Sequence, residues 1–155
     1  MDTITQALLG SAVAYSVAGR KAPRASVLYG AAFGILPDLD VFIQYANDLD
    51  TMTFHRSWTH SWIVHSLLAP LVAWLMSKLD QGVDFRRWLA LIWLVWITHS
   101  GLDAMTVYGT QLFWPFMPPP ASIGSIFIID PLYSLPLAAG FLAILLAAGK
   151  RLSHA

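Results

Sequence analysis

The chain has 155 residues, which fits one domain. It is 57% hydrophobic and 12% charged, where soluble domains carry about 25% charged residues, and its mean hydropathy is +0.60; this composition predicts an integral membrane protein. Zero net charge leaves no bulk attraction to nucleic acid, and the lack of cysteine excludes disulfides, thiolate metal sites and cysteine nucleophiles.

The chain opens MDTITQALLG, with no basic stretch ahead of its first apolar run. It is therefore read as part of the fold and not as a cleavable signal peptide. Charged residues then divide the sequence into five uncharged runs. These hold 17 residues between Asp2 and Arg20, 13 between Arg24 and Asp38, 21 between Arg56 and Lys78, 15 between Arg87 and Asp103, and 19 between Asp130 and Lys150. A spanning helix needs roughly 20 apolar residues, with a range of about 17–25. Segments one, three and five qualify alone. Segments two and four qualify by running on through VFIQY and AMTVY. The expected fold is an all-α, polytopic membrane bundle of about five transmembrane segments, some short or broken, forming one domain over residues 1–155.

Basic residues orient this bundle. Arg20, Lys21 and Arg24 follow segment one; Lys78, Arg86 and Arg87 follow segment three; Lys150 and Arg151 follow segment five. Eight of the nine basic residues thus share one side, which the positive-inside rule makes cytoplasmic. Arg56 alone falls outside. PFMPPP, residues 115–120, cannot be helix interior, because proline lacks the amide donor, and reads as an outer loop.

Counting inward from the basic residues at ~1.5 Å per residue places Gln6, Asp38, His65 and His99 ~18–21 Å above the cytoplasmic boundary of a ~30 Å core. Asp40, His60, Asp103 and Asp130 come further out, then His55 on the outer loop. Ionisable groups at such depth are costly and normally face a protein interior or a wet cavity, where they serve function. HSGLD sets His99 and Asp103 at i and i+4, on one helix face, so both can reach one ion. In PDLD, Asp38 and Asp40 diverge by about 200° on a helix, so sharing a cavity calls for an extended or broken turn after Pro37. His55, His60 and His65 recur every fifth residue, about 140° apart on a helix, and cannot all bind one ion from it. His55 is assigned to the loop, His60 to the first turn, and His65 to a buried, hydrogen-bonded position. Arg56 fits either an anchor for phosphate or carboxylate or a salt bridge to an outer aspartate. Ser57, Ser61 and Ser100 lie near histidines, but no G-x-S-x-G elbow accompanies them. Gly30-Ala-Ala-Phe-Gly34 fits small-residue helix packing.

Taken in order, MDTITQALLG, PDLD, HRSWTHS and HSGLDAMTVYGTQLFWPF resemble the YdjM-like, LexA-binding, inner-membrane-associated family of metal-dependent hydrolases, over residues 1 to about 133. The resemblance implies metal ligands at Asp38, Asp40, His55, His60, His99 and Asp103, with Arg56, Thr59 and Thr106 in support. Many members read Thr-His where this chain reads Thr5-Gln6. Glutamine is the poorer zinc ligand, so the first segment is expected to give a hydrogen bond in place of a metal bond.

Histidine and aspartate suit zinc first, and also manganese or iron. The leading expectation is a hydrolase in the inner membrane, with a divalent-metal site, zinc foremost, open to the outer face. Asp38 or Asp40 would serve as general base, and the substrate would be a membrane lipid or lipid-linked phosphoester. A metal or ion transporter using the same polar layer is the alternative from another class. A non-catalytic membrane partner ranks lowest, because the inner loops are short.

Overall fold

The structure is a computed structural model that describes all residues except 20–21, 44–54, 117 and 153–155. Among the described residues there are five α-helices: α1 (Thr3–Ala18), α2 (Pro23–Ile35), α3 (Trp62–Leu79), α4 (Phe85–Ala104) and α5 (Pro131–Leu152). No strand forms among the described residues, where an isolated antiparallel bridge, Thr110 to Ala121, pins the long loop between α4 and α5. Each helix falls on one of the five apolar runs. Of these, Arg24–Phe42 and Trp62–Leu79 are long and apolar enough to cross a membrane, while Thr3–Ala18 and Pro131–Ala143 are apolar but shorter. Arg20 and Lys21, two of the residues used to orient the bundle, lie outside the described residues, as does the end of VFIQY beyond Ile43.

The helix ends follow from local chemistry. Asp2 caps α1 by accepting from the Thr5 amide, Ser61 caps α3 by accepting from Ile63 and Val64, and Asp84 caps α4 by accepting from Arg87. Pro23 opens α2, where a missing amide costs nothing. α2 does not break into extended chain after Pro37, as the spacing of PDLD suggested. It tightens into a 3-10 helix over Leu36–Phe42. A second 3-10 turn, Trp58–His60, precedes α3, so His60 lies ahead of that helix and not in its first turn.

α4 is the helix around which α1, α2 and α3 gather, while α5 packs against α1. Trp88, Leu91, Ile92, Val95 and Trp96 are all buried along it, packed with Ala14 and Ala18 of α1 and Ala69 and Ala73 of α3. On α3 the buried line His65, Ala69, Ala73 repeats every four residues, one helical face. Large apolar side chains stand exposed on its other faces, Leu67, Leu71, Trp74 and Leu79 among them. Small residues inward and large ones outward is the packing of helices that meet lipid. α1 and α2 approach still more closely: a Cβ on Gly10 would collide with the Gly30 carbonyl, and one on Gly30 with the Gly10 carbonyl. This is the helix contact expected of the Gly30–Gly34 pattern.

α1 and α3 begin, and α2 and α4 end, at the same end of the bundle. Gln6, Asp38, His60, His99 and Asp103 are therefore brought together there. Arg24, Lys78, Arg86 and Arg87 occupy helix ends at the opposite side, where Tyr29 stacks edge-on against Trp88 at 4.8 Å. Replacing Gly10 or Gly30 by alanine is expected to destabilise the protein by at least the ~1–3 kcal/mol typical of overpacking. Thermal unfolding in detergent would show it, and an unchanged midpoint would refute the contact.

Candidate metal centre

Asp38, His60, His99 and Asp103 each aim one donor atom at a common point, and these four atoms lie within 4.8 Å of one another. His60, His99 and Asp103 have fully buried side chains (0, 1 and 0% exposed), while that of Asp38 is 17% exposed and stands at the mouth. His60 Nε2 is 3.1 Å from His99 Nε2, 3.1 Å from Asp103 Oδ2 and 3.5 Å from Asp38 Oδ1. His99 Nε2 is 3.5 Å from Asp38 Oδ1 and 3.7 Å from Asp103 Oδ2. A tetrahedron with bonds of ~2.0–2.2 Å, the range for nitrogen and oxygen on zinc, has edges of ~3.3–3.6 Å. Five of the six separations scatter around that edge length and all lie within 4.8 Å, so the four donors could hold a small divalent cation.

Their hydrogen bonds agree. His99 Nδ1 lies 2.8 Å from the Gly34 carbonyl, to which it can only donate. Its Nε2 then carries a free lone pair. The Gly34 carbonyl is open to this bond for a local reason: in the 3-10 register its donor would be residue 37, and Pro37 has no N–H. His60 Nδ1 lies 3.0 Å from Thr59 Oγ1, which donates to Asp40 Oδ2 at 2.7 Å. With the hydroxyl proton committed to Asp40, His60 Nδ1–H donates to Thr59, and its Nε2 also points inward as a lone pair. Asp38 Oδ2, Asp103 Oδ2 and Gln6 Oε1 are buried acceptors without a hydrogen-bond donor. Buried acceptors are rarely left so, and a cation among the four donors would satisfy Asp103 Oδ2.

Asp40 and His55 stand outside this group, a correction to the six-ligand set. At 3.0 residues per turn, side chains two apart diverge by about 240° on a 3-10 helix. Asp38 therefore faces the centre and Asp40 faces the 55–60 segment. There Asp40 accepts from the Arg56 amide at 2.9 Å and from Thr59, and pairs with His55 Nδ1 at 3.1 Å. His55, whose side chain is 25% exposed, rests edge-on against Tyr108.

Arg56 is not a free outer cation. It is 6% exposed, holds Thr106 Oγ1 through Nη1 at 3.4 Å, and lies with Nε 3.6 Å from Asp103 Oδ2 and its guanidinium over the Tyr108 ring. Of its two readings, the salt bridge describes this arrangement. Its φ of 59° places a non-glycine residue in the left-handed region, held there by the Asp40 bond on its amide and the Gln111 amide on its carbonyl at 3.0 Å. Thr106 also donates to the Asp103 carbonyl at 2.7 Å.

Gln6 Nε2 donates to Asp103 Oδ1 at 3.2 Å and to the His99 carbonyl at 3.3 Å, a hydrogen-bonding role of the kind expected of it. His65 lies outside the group. Its Nε2 is 2.8 Å from the Thr59 carbonyl and its ring stacks on Trp96, as expected of a buried, hydrogen-bonded histidine. Asp130 is not part of the polar layer: its carboxylate accepts from Phe127, Leu132 and Tyr133 amides at the start of α5. α5 reaches the site only through Ser134, 2.6 Å from Thr5 Oγ1, so four of the five segments build it. Sequence reasoning missed the buried ion pair between the Met1 amine and Asp103 Oδ1, since nothing in the local pattern marks it.

An all-helical protein with two helices able to cross a membrane, and a buried His/Asp group at one end able to hold a metal ion, is the class defined by fold and site. The chain belongs to the YdjM inner membrane protein family, whose profile matches residues 1–154. No curated protein and no solved structure matches it.

Metal analysis of the purified protein is expected to find a divalent ion, lost in His60→Ala and Asp103→Ala. Thr59→Val keeps all four donors but removes the acceptor behind His60, and should weaken metal affinity about 10–100-fold. Wild-type affinity in Thr59→Val would show that the Asp40–Thr59–His60 chain does not orient a ligand.

Proposed function

We propose that this protein is a metal-dependent hydrolase embedded in the inner membrane as a five-span bundle, with its centre near the outer face and a lipid-linked phosphoester as substrate. The convergence of two imidazoles and two carboxylates, with their donor atoms within 4.8 Å of one another, is the observation that carries this reading. Zinc suits two imidazoles and two carboxylates best, and when bound it supplies Lewis-acid catalysis of hydrolysis.

The chain's own residues divide the work. His60, His99 and Asp103 would hold the ion in a closed corner. Asp38, at the opening, would take the proton from the attacking water instead of completing the ligand set. Asp40 cannot share that task, because its oxygens are committed to Arg56, Thr59 and His55. Arg56 offsets the Asp103 carboxylate from inside the protein and does not grip the substrate. With a divalent ion present, the ion, Arg56 and the Met1 amine would outweigh Asp38, Asp40 and Asp103, so an anionic phosphoester would meet no net repulsion at the mouth.

Reconstituted protein should release a phosphorylated headgroup from lipid phosphoesters, a chelator should stop the release, and zinc should restore it. Asp38→Asn is expected to lower kcat by ~10²–10⁴-fold, the usual worth of a general base, while retaining the ion. A fully active Asp38→Asn enzyme would remove the base from this scheme. Metal flux across vesicles without hydrolysis would move the reading to transport.

The absence of native cysteine makes orientation simple to measure. A cysteine introduced at Gln81 should label only from the cytoplasmic side, and one at Pro119 only from the outer side. Labelling of both from one side would overturn the five-span arrangement.

A further inference from the structure

A cavity of about 350 Å³ lies between the 3-10 end of α2 and the first half of α3, next to the metal centre. Its rim is apolar and open: Leu36, Leu39, Trp58 and Leu68 are each 40–46% exposed. Its floor is buried and includes His65 and Trp96, both 4% exposed. One end meets Asp40 and Thr59, the two residues that back His60.

We propose that this groove seats one hydrocarbon chain of a membrane lipid, with the lipid's polar end directed toward Thr59 and Asp40 and so toward the metal centre. Both walls come from helices that are long and apolar enough to cross a membrane, so the groove opens onto the surface where lipid would lie. Exposed Leu67 and Leu71 on α3 extend the apolar surface beside it. At the low end of the ~300–1,000 Å³ range of small-molecule sites, the volume suits a chain segment more than a bulky headgroup. The floor also asks for an occupant. His65 donates through Nε2 to the Thr59 carbonyl, which leaves Nδ1 as an acceptor, and that atom is buried without a partner. A hydroxyl or amide donor near the head of a lipid would satisfy it. The fate of the headgroup rests on the hydrolase reading, whereas the seating of the chain does not.

The test separates the two. Protein in vesicles of phosphatidylethanolamine and phosphatidylglycerol is photolabelled with a phosphatidylglycerol carrying a diazirine on one acyl chain, and the cross-links are mapped by mass spectrometry. Label is expected to concentrate on residues 36–43 and 58–72. Leu68→Trp and, from the opposite wall, Leu39→Trp should each fill the groove and reduce that label several-fold, with metal content unchanged as the check on folding. Leu67→Trp, on the same helix but outside the groove, should leave it intact. Even labelling of all lipid-facing helices, or full labelling of both filled variants, overturns the chain site even if hydrolysis is observed. Concentrated label lost in the filled variants supports it even if no lipid is hydrolysed.

Discussion

His60 Nε2 and His99 Nε2 face each other across 3.1 Å, and each ring has already turned its other nitrogen outward as a donor. Two lone pairs at that distance repel, and the Asp38 and Asp103 carboxylates beside them add negative charge. Left alone, such a cluster would be among the most costly things to bury in an apolar protein. A cation at its centre reverses the sign of every one of these contacts. Much of the surrounding structure acts to keep the four donors aimed at that point.

The means are distributed over the chain. α4 supplies two ligands one turn apart and is itself fixed by the largest apolar contacts in the protein. Pro37 serves twice: it tightens the end of α2 so that Asp38 turns inward, and it frees the Gly34 carbonyl that selects the His99 tautomer. The 55–60 segment has no long helix to hold it, so Asp40 gathers it through the Arg56 amide and the Thr59 hydroxyl. Arg56 then lies beneath the site, over Tyr108, as a buried counter-charge to Asp103.

The five helices were legible because charge is so scarce that each uncharged run marks one of them. Small-residue spacing gave the α1–α2 contact, and the i, i+4 rule gave the shared face of His99 and Asp103. The direction of Asp40 was not legible, since it depends on whether the chain after Pro37 stays helical, which turns Asp38 and Asp40 apart, or runs extended. Charge counting left Arg56 two readings, and the left-handed backbone that turns its side chain into the protein to pair with Asp103 has no mark in the sequence. Gln6 could be assigned a hydrogen bond from its chemistry, though not its partner. Asp130 lay at the right depth, but depth says nothing about whether a carboxylate caps a helix or faces a cavity.

Gly34 sits where the two halves of this architecture meet. A side chain there would bring a Cβ within 2.6 Å of the Gln6 carbonyl, and Gln6 is the residue that steadies Asp103. The carbonyl of Gly34 itself sets the tautomer of His99. Helix packing and ligand electronics therefore share a single backbone unit. The spacing between α1 and α2 is in effect a tuning dimension for the metal: a shift of a few tenths of an ångström would move one ligand's orienting bond and another's support together.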